Sequence, residues 1–356
     1  MNKKRKILFL GDINSIHLLK WIIAVKDEFE VRVCSLDPNE NSHPDFNISD
    51  IKVISTSKKL TASSNKLSYL RSFRLFKKEY SEFAPDIVHA HYASSYGLLG
   101  AFLSPKRFFV SVWGSDVFEF PKRSILHRSL YKIIMSRADR IFSTSRAMAL
   151  EINNYTTKDV TVIPFGVDVQ RFQVVNKEKN QLLIGTLKSL EKIYGIDILI
   201  KATKIVVERM PDVKCHIYGR GSQEASLRKL IHDLDLSDNI ELKGYISNNN
   251  ASDALATFDV FCALSREESF GVSVIEASAA SVPVVVSNVG GLPEVVIDQE
   301  TGIIVDKEDY QAAADAILML LENQSLRDSM GYNGRDFVTK NYNWNANVES
   351  MKSYYN

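Results

Sequence analysis

Val260-Phe-Cys-Ala-Leu264 runs straight into Ser265-Arg-Glu-Glu268-Ser-Phe-Gly-Val-Ser-Val-Ile-Glu276, and the reading of this junction decides the fold. The first five residues are a short, wholly apolar run of the kind that makes a buried strand. Residues 265–269 then form a polar loop at the strand's carboxyl end, and helical periodicity takes over at 270–280. Ser269 stands where a helix N-cap is expected. The first amides of such a helix have no partner within it and attract anions, so a pyrophosphate fits there. Gly271 lets a ligand approach the backbone. Glu276, about two turns along by this reading, can accept hydrogen bonds from ribose hydroxyls, and Glu268 in the loop can reach a sugar. Taken alone, two glutamates at this spacing are also what an ordinary helix surface carries.

Outward from this junction, short apolar runs alternate with longer helical stretches, the pattern of βαβ units and a parallel sheet. Strands are expected at 6–10, 31–36, 51–56, 86–91, 108–113, 140–143 and 160–164, with helices at 16–25, 67–83, 125–137 and 146–154. A Pro- and Gly-bearing segment, Ile163-Pro-Phe-Gly-Val-Asp168, ends this series, and the alternation restarts after it. Strands then fall at 182–187, 213–218, 240–242, 260–264, 284–287 and 302–305, and helices at 196–208, 222–234, 270–280 and 310–322. The expected fold class is α/β, with two doubly wound Rossmann-like domains, 1–168 and 169–341, whose strand ends face an interdomain cleft. A C-terminal helix at 342–356 is expected to pack back on the first domain. Ligands in such sheets bind at the carboxyl ends of the strands.

The chain has 356 residues, too many for one comfortable core and suited to two. The composition, 45% hydrophobic and 24% charged, is that of a soluble globular protein. No apolar run reaches the ~20 residues of a membrane span. Lys3-Lys-Arg-Lys6 leads into Ile7-Leu-Phe-Leu10, which Gly11-Asp12 stops, so the segment reads as a first strand rather than a secretory leader. Cys34, Cys215 and Cys262 are scattered and read as reduced core residues of a cytoplasmic protein. The net charge of +1 hides an asymmetry: residues 1–165 carry 25 Lys and Arg against 16 Asp and Glu, and the remainder carries 19 against 27. Such halves suit domains facing different partners, or simply reflect drift in surface composition. Asn65 to Lys78 interleaves apolar residues 67, 70, 73 and 76 with basic ones, as in a helix lying on an anionic membrane surface or a core helix with a solvated basic face.

Glu268-Ser-Phe-Gly followed by Glu276-Ala277 resembles the core motif of the family 4 retaining glycosyltransferases, which have the GT-B fold. Other segments resemble that family in the right order. Ile163-Pro-Phe-Gly-Val-Asp168 with Arg171-Phe172 is similar to its link into the C-terminal domain. Lys192-Ile-Tyr-Gly195 resembles its phosphate-binding lysine, and Tyr218-Gly-Arg-Gly-Ser222 and Lys243-Gly-Tyr245 its nucleotide-lining loops. Gly290-Gly-Leu-Pro-Glu294 and Thr301-Gly-Ile-Ile-Val305 complete the series. The resemblance implies a donor site formed by Lys192, Gly219, Gly221, Tyr245, Ser269, Phe270, Gly271, Val272 and Glu276. Lys192 and the helix amides would neutralise a departing diphosphate.

On the first domain, Gly11-Asp-Ile-Asn-Ser15-Ile-His17 follows the first strand and resembles the family's acceptor-side opening. His17 there is also what a capping or packing histidine looks like. His89-Ala-His91-Tyr92 closes another strand, with both histidines on one face and His91 nearer the cleft; no third ligand suggests a metal. Trp113-Gly-Ser-Asp116 departs from the family, in which a histidine that contacts the donor sugar is common where Trp113 stands. Trp113 suits packing against a sugar instead, and Asp116 suits orienting donor or acceptor. Thr186 stands where a phosphate-holding arginine is common, and Lys188 and Arg266 are the candidates to replace its charge.

The implied reaction is transfer of a sugar from a nucleotide-diphosphate sugar to a hydroxyl acceptor with the anomeric configuration kept. The catalytic candidates are Glu268, Asp116 and His91; no metal and no cofactor are expected, the UDP-, GDP- or ADP-sugar being a substrate. The resemblance further implies a lipid-linked or polysaccharide acceptor in surface glycan synthesis, a cytoplasmic enzyme peripheral to the membrane's inner face, and no nucleic-acid partner. Two alternatives stay open, a catalytically silent sugar-nucleotide-binding protein and a sugar-nucleotide epimerase of the same fold. A nicotinamide dehydrogenase is excluded, because Gly11-Asp-Ile-Asn-Ser15 lacks the three-glycine fingerprint.

Overall fold

The computed structural model describes residues 4–40, 43, 46–56, 67–172 and 181–356. The chain divides into two compact units, Met1–Ile163 with Val348–Asn356, and Pro164–Asn347. The break thus precedes residue 168, where the sequence suggested it, because Val167 pairs with the far end of the second unit: its N–H donates to the Tyr342 carbonyl at 2.8 Å.

Among the described residues, the first unit carries seven strands: β1 (Lys6–Leu10), β2 (Glu30–Ser35), β3 (Lys52–Ser55), β4 (Ile87–His91), β5 (Phe108–Val112), β6 (Arg140–Ser143) and β7 (Val160–Val162). They are parallel, in the order β3-β2-β1-β4-β5-β6-β7. β4 and β5 are buried along their whole length, as strands covered on both faces are, even though β4 carries His89 and His91 and β5 Ser111. The second unit carries six: β8 (Leu183–Leu187), β9 (Lys214–Tyr218), β10 (Ile240–Gly244), β11 (Val260–Ala263), β12 (Val284–Ser287) and β13 (Gly302–Val305). Their order, again parallel, is β10-β9-β8-β11-β12-β13. Each sheet winds outward from its first strand and then returns to that strand's other side. The reversal opens a crevice at the strands' carboxyl ends, between β1 and β4 in one unit and between β8 and β11 in the other.

Two helices absent from the sequence reading are Asn248–Thr257 and Gln324–Asn341. The second contains Gly331 and Gly334, which lower helix propensity. Gly331 is nonetheless needed, since a Cβ there would overlap the Ser281 carbonyl. The last helix, Trp344–Tyr355, spans the boundary between the units. Its final residues dock on the first unit: Tyr355 Oη lies 2.7 Å from His89 Nδ1, and Arg5 and Arg107 donate to the Tyr355 and Tyr354 carbonyls at 3.0 and 2.7 Å. Those guanidinium groups satisfy carbonyls that a helix end leaves unpaired.

The helix Leu67–Phe83 spends its described apolar stripe on the core. Phe76 and Phe83 are fully buried and Phe73 packs against the same cluster, leaving Arg74, Lys77 and Lys78 in solvent. Residues 65 and 66 and the side chains of 67–71, part of the segment weighed for membrane contact, lie outside the described residues. No helix among the described residues is long and apolar enough to cross a membrane.

Candidate functional site

In the second unit, the loop after β8 begins at Lys188 and the loop after β11 contains Glu268, so the two flank the point where the strand order reverses. Their side chains form an ion pair with only 9% and 10% of each exposed, and the Lys188 ammonium lies 5.2 Å from the Tyr194 ring centre. Two glycines press on the same backbone. Gly219 (φ +151) admits the Lys188 carbonyl and Gly290 (φ +51) the Glu268 carbonyl, each where a Cβ would overlap it. Gly291 N–H then donates to the Glu268 carbonyl at 3.0 Å. The Gly290-Gly291 pair is thus packed against the protein's own loop, and it fixes Glu268.

The helix after this loop is Val272–Ala279, with Gly271 as its N-cap at φ +102 and no side-chain cap. Ser269 is therefore not the N-cap. The left-handed turn at Gly271 starts the helix later, and Glu276 lies one turn inside it rather than two. The first-turn amides belong to Val272 and Ser273, while Phe270 is an anchor buried against Phe165 and Tyr342 at 6.1 and 5.6 Å between ring centres. Ser273 and Ser265, which the sequence reading passed over, each bury a hydroxyl oxygen that has no hydrogen-bond partner. Their signal was a polar residue interrupting an apolar run next to the motif.

Lys192 opens a short 3-10 turn, Lys192–Tyr194, that precedes the helix Ile196–Arg209. It is exposed, and no carboxylate partners its ammonium among the described residues. Arg266 is committed elsewhere. Its guanidinium takes both Asp197 oxygens at 2.7 and 2.9 Å, Glu308 at 2.5 Å and the Lys192 carbonyl at 2.8 Å. Asp197, then Glu308, raise its pKa further above the ordinary arginine range. Of the two cations weighed against Thr186, Lys188 therefore remains; Thr186 itself is buried in β8. The loop after β9 is tied to that after β8, with Leu190 N–H donating to the Arg220 carbonyl at 3.0 Å and Ser222 N–H to Glu191 Oε1 at 2.8 Å. Gly221 lies within this tie. Tyr245 follows Gly244 with its ring exposed.

The corresponding end of the first sheet is aromatic. Gly11 follows β1 and His91 ends β4 as neighbours: a Cβ on Gly11 would lie 3.4 Å from that of His91. The His91 ring is 5.2 Å from Trp113, and Trp113 is 5.9 Å from His17 in the first turn of Ile16–Val25. Ser15 is that helix's N-cap without a side-chain bond. His91 is buried, both ring nitrogens lack a partner, and burial holds its pKa down to about 3. Burial, then Lys20 and His43, hold His17 down to about 4. His89 is a satisfied core histidine bonded to Tyr355 and to Ser111 Oγ at 2.8 Å.

Asp116 is fully buried, and its carboxylate accepts the N–H groups of Ala93, Trp113 and Gly114 at 2.7, 3.1 and 2.9 Å. It tethers the turns after β4 and β5, which makes it a positioning residue rather than an open catalytic group. Burial raises its pKa although the three amides oppose the shift. Beside it Tyr92 is held at φ +84, with its hydroxyl on Ser115, at the start of a π-helical turn, Ala93–Gly97. Such strain and π-turns collect at functional sites.

Asp233, in Asp233-Leu-Asp235, the chain's one Asp-x-Asp triplet, pairs with Lys229 on an exposed helix face. Among the described residues, no group of three or more His, Cys, Asp or Glu is placed to hold a metal ion.

Two Rossmann-like units in tandem, each with a reversal crevice at its strand ends, define the GT-B class. Known structures agree: sucrose-phosphate synthase from Thermosynechococcus elongatus superposes at a TM-score of 0.84, 20% identical, over 99% of this chain and 98% of that one. Anabaena HepE, in complex with UDP and glucose, does so at 0.83, 17% identical, over 98% of each. The model of the glycosyl transferases group 1 matches residues 168–337 and that of the glycosyl transferase 4-like domain residues 6–145. The capsular polysaccharide biosynthesis glycosyltransferase CapM of Staphylococcus aureus is 29% identical over 99% of this chain and 97% of its own. The chain belongs to the group 1 glycosyltransferases.

Proposed function

We propose that this glycosyltransferase moves a sugar from a nucleotide-diphosphate sugar to a hydroxyl acceptor with retention of configuration and without a metal. The observation that carries the reading is the Lys188–Glu268 pair at the reversal point of the second sheet, beside the uncapped helix Val272–Ala279. In this account the donor diphosphate draws Lys188 away from Glu268, and Lys192 and the amides of Val272 and Ser273 share the charge. Glu268, released, takes the sugar hydroxyls. Glu276 takes those of the ribose, and the loops at Gly219, Gly221 and Tyr245 face the base. The bond from the anomeric carbon to the diphosphate oxygen breaks as the acceptor oxygen attacks from the same face. The acceptor proton passes to the leaving diphosphate.

We place the acceptor hydroxyl with His91, Trp113, His17, Gly11 and Ser15, where a neutral imidazole can bond a hydroxyl and an indole can pack on a sugar face. CapM, a capsular polysaccharide biosynthesis glycosyltransferase, supports an acceptor in polysaccharide synthesis; in this account that acceptor is a lipid-linked or polysaccharide intermediate handled at the cytoplasmic face of the membrane. HepE, solved with UDP and glucose, supports a UDP-sugar as the first donor to try. The test is transfer from labelled UDP-, GDP- and ADP-sugars to membrane glycolipid extracts, with the product anomer read by NMR. Retained configuration and activity undiminished by a chelator are expected. An inverted product overturns retention, loss of activity on chelation overturns metal independence, and no transfer from any donor points to a silent binding protein.

A further inference from the structure

The helix Ile125–Arg137 turns an apolar face to solvent. On a helix advancing 100° per residue, Ile125, Leu126, Ser129, Ile133 and Ser136 share one side, opposite Tyr131, Ile134 and Met135, which are buried in the first unit's core. An outward face of a globular helix is ordinarily polar. Here Ile125 is 86% exposed, Leu126 65% and Ile133 40%, and Leu150 on a neighbouring helix is 70% exposed.

The sequence of this helix, Ile-Leu-His-Arg-Ser-Leu-Tyr-Lys-Ile-Ile-Met-Ser-Arg, contains no acidic residue. Its cations flank the apolar stripe. Arg128 lies over the Tyr155 ring and Arg137 over the exposed Phe102 ring, at 5.7 and 5.3 Å, and Lys132 has no partner among the described residues. Before the first turn, Lys122 pairs with Glu151 at 3.0 Å and Arg123 with Glu119 at 3.4 Å, so two carboxylates lie beside the strip. The result is a strip about 20 Å long, in which Ile125, Leu126 and Ile133 stand out among two serines, with cations at its edges.

We propose that the helix Ile125–Arg137 is the surface by which the first unit docks on an anionic lipid bilayer, with Ile125, Leu126 and Ile133 inserted among the acyl chains and Arg123, Arg128, Lys132 and Arg137 on the headgroup phosphates. Side chains that protrude singly from a convex helix suit a deformable lipid surface, and the excess of cations over the two paired carboxylates at its edges fits its negative charge. The proposal deepens the reading of a membrane-side acceptor by naming the contact. It also assigns that contact away from the helix Leu67–Phe83, whose Phe73, Phe76, Tyr80 and Phe83 are spent on the core and which leaves Leu75 alone at the surface among its described apolar residues.

The test is co-sedimentation of the full chain, without donor or acceptor, with vesicles of phosphatidylcholine alone or with phosphatidylglycerol added. The wild type is expected to bind the anionic vesicles, to be released by salt and to leave neutral vesicles unbound. Ile125→Ser with Leu126→Ser, and separately Arg123→Glu with Lys132→Glu, are expected to lower partitioning about 10- to 100-fold. Both pairs lie outside the core, so thermal unfolding and turnover of a soluble donor should stay unchanged. Wild type left in the supernatant of anionic vesicles, or equal binding by both variants, overturns the proposal. So does a wild-type dimer in light scattering that the serine pair abolishes, for then a second copy covers the strip. Because no sugar transfer enters the readout, vesicle binding can fail while the transferase reading stands, and the reverse.

Discussion

At the carboxyl end of the second sheet the conspicuous groups are charged: Lys188 against Glu268, with Lys192 in the turn that follows β8. At the carboxyl end of the first sheet they are aromatic and neutral: His91 with its pKa near 3, Trp113 and His17. The two crevices share one topology, yet one is equipped to meet a polyanion and the other to meet hydroxyls. The backbone follows the same division. Gly219 and Gly290 hold the charged pair from behind, whereas the carboxylate of Asp116 gathers the aromatic turns through three amides.

The largest effect expected is on the charged side. Lys188→Met leaves Glu268 as an unpaired carboxylate with 10% of its side chain exposed, so urea unfolding should show a loss of about 3–5 kcal/mol. Adding Glu268→Gln should restore most of it; an undiminished loss in the double variant would mean that Lys188 acts by packing alone. Glu268→Gln by itself should lower turnover on the order of 100-fold or more. It should also tighten nucleoside-diphosphate binding several-fold in calorimetry, since Lys188 no longer has to leave a carboxylate. Weaker diphosphate binding in this variant contradicts the exchange of partners.

The aromatic side should respond to pH instead. His91 stays neutral in the folded chain down to about pH 3 but takes a proton near 6.5 when unfolded. Between those values the unfolded state binds more protons, so stability falls as pH falls, by roughly 2 kcal/mol at pH 5 from this residue. His91→Phe should flatten that part of the stability profile; an unchanged slope would mean that the imidazole is not buried neutral. The smallest effect is expected from Trp113→Phe, which should raise the acceptor KM about 10-fold or less and leave nucleotide affinity unmoved. A change in nucleotide affinity would place Trp113 with the donor instead.

The alternation of strands and helices was legible because parallel strands are continuous apolar runs, and the motif around Glu268 and Glu276 marked the second unit. The pairing of Lys188 with Glu268 was not, for it joins residues 80 apart that only the β8–β11 adjacency brings together. Local pattern also misplaced the helix start. Ser269 has the right chemistry for a cap, but the left-handed backbone at Gly271 takes that position. Asp116 stood among the catalytic candidates, suited to orienting donor or acceptor, because sequence does not reveal that three amides converge on it. The helix Ile125–Arg137 was expected from its periodicity alone, and only the core packing of Tyr131, Ile134 and Met135 shows which of its apolar residues were left outside.

The central claim is that the second sheet's reversal point holds a nucleotide-diphosphate sugar. It is tested most directly by thermal unfolding of the wild type and of Glu276→Ala with UDP, GDP, ADP and their sugars. One base should stabilise the wild type by about 2.7 kcal/mol at a hundred times its dissociation constant, with most of that gain lost in the variant. Stabilisation by none of them, or an equal gain in Glu276→Ala, contradicts the account.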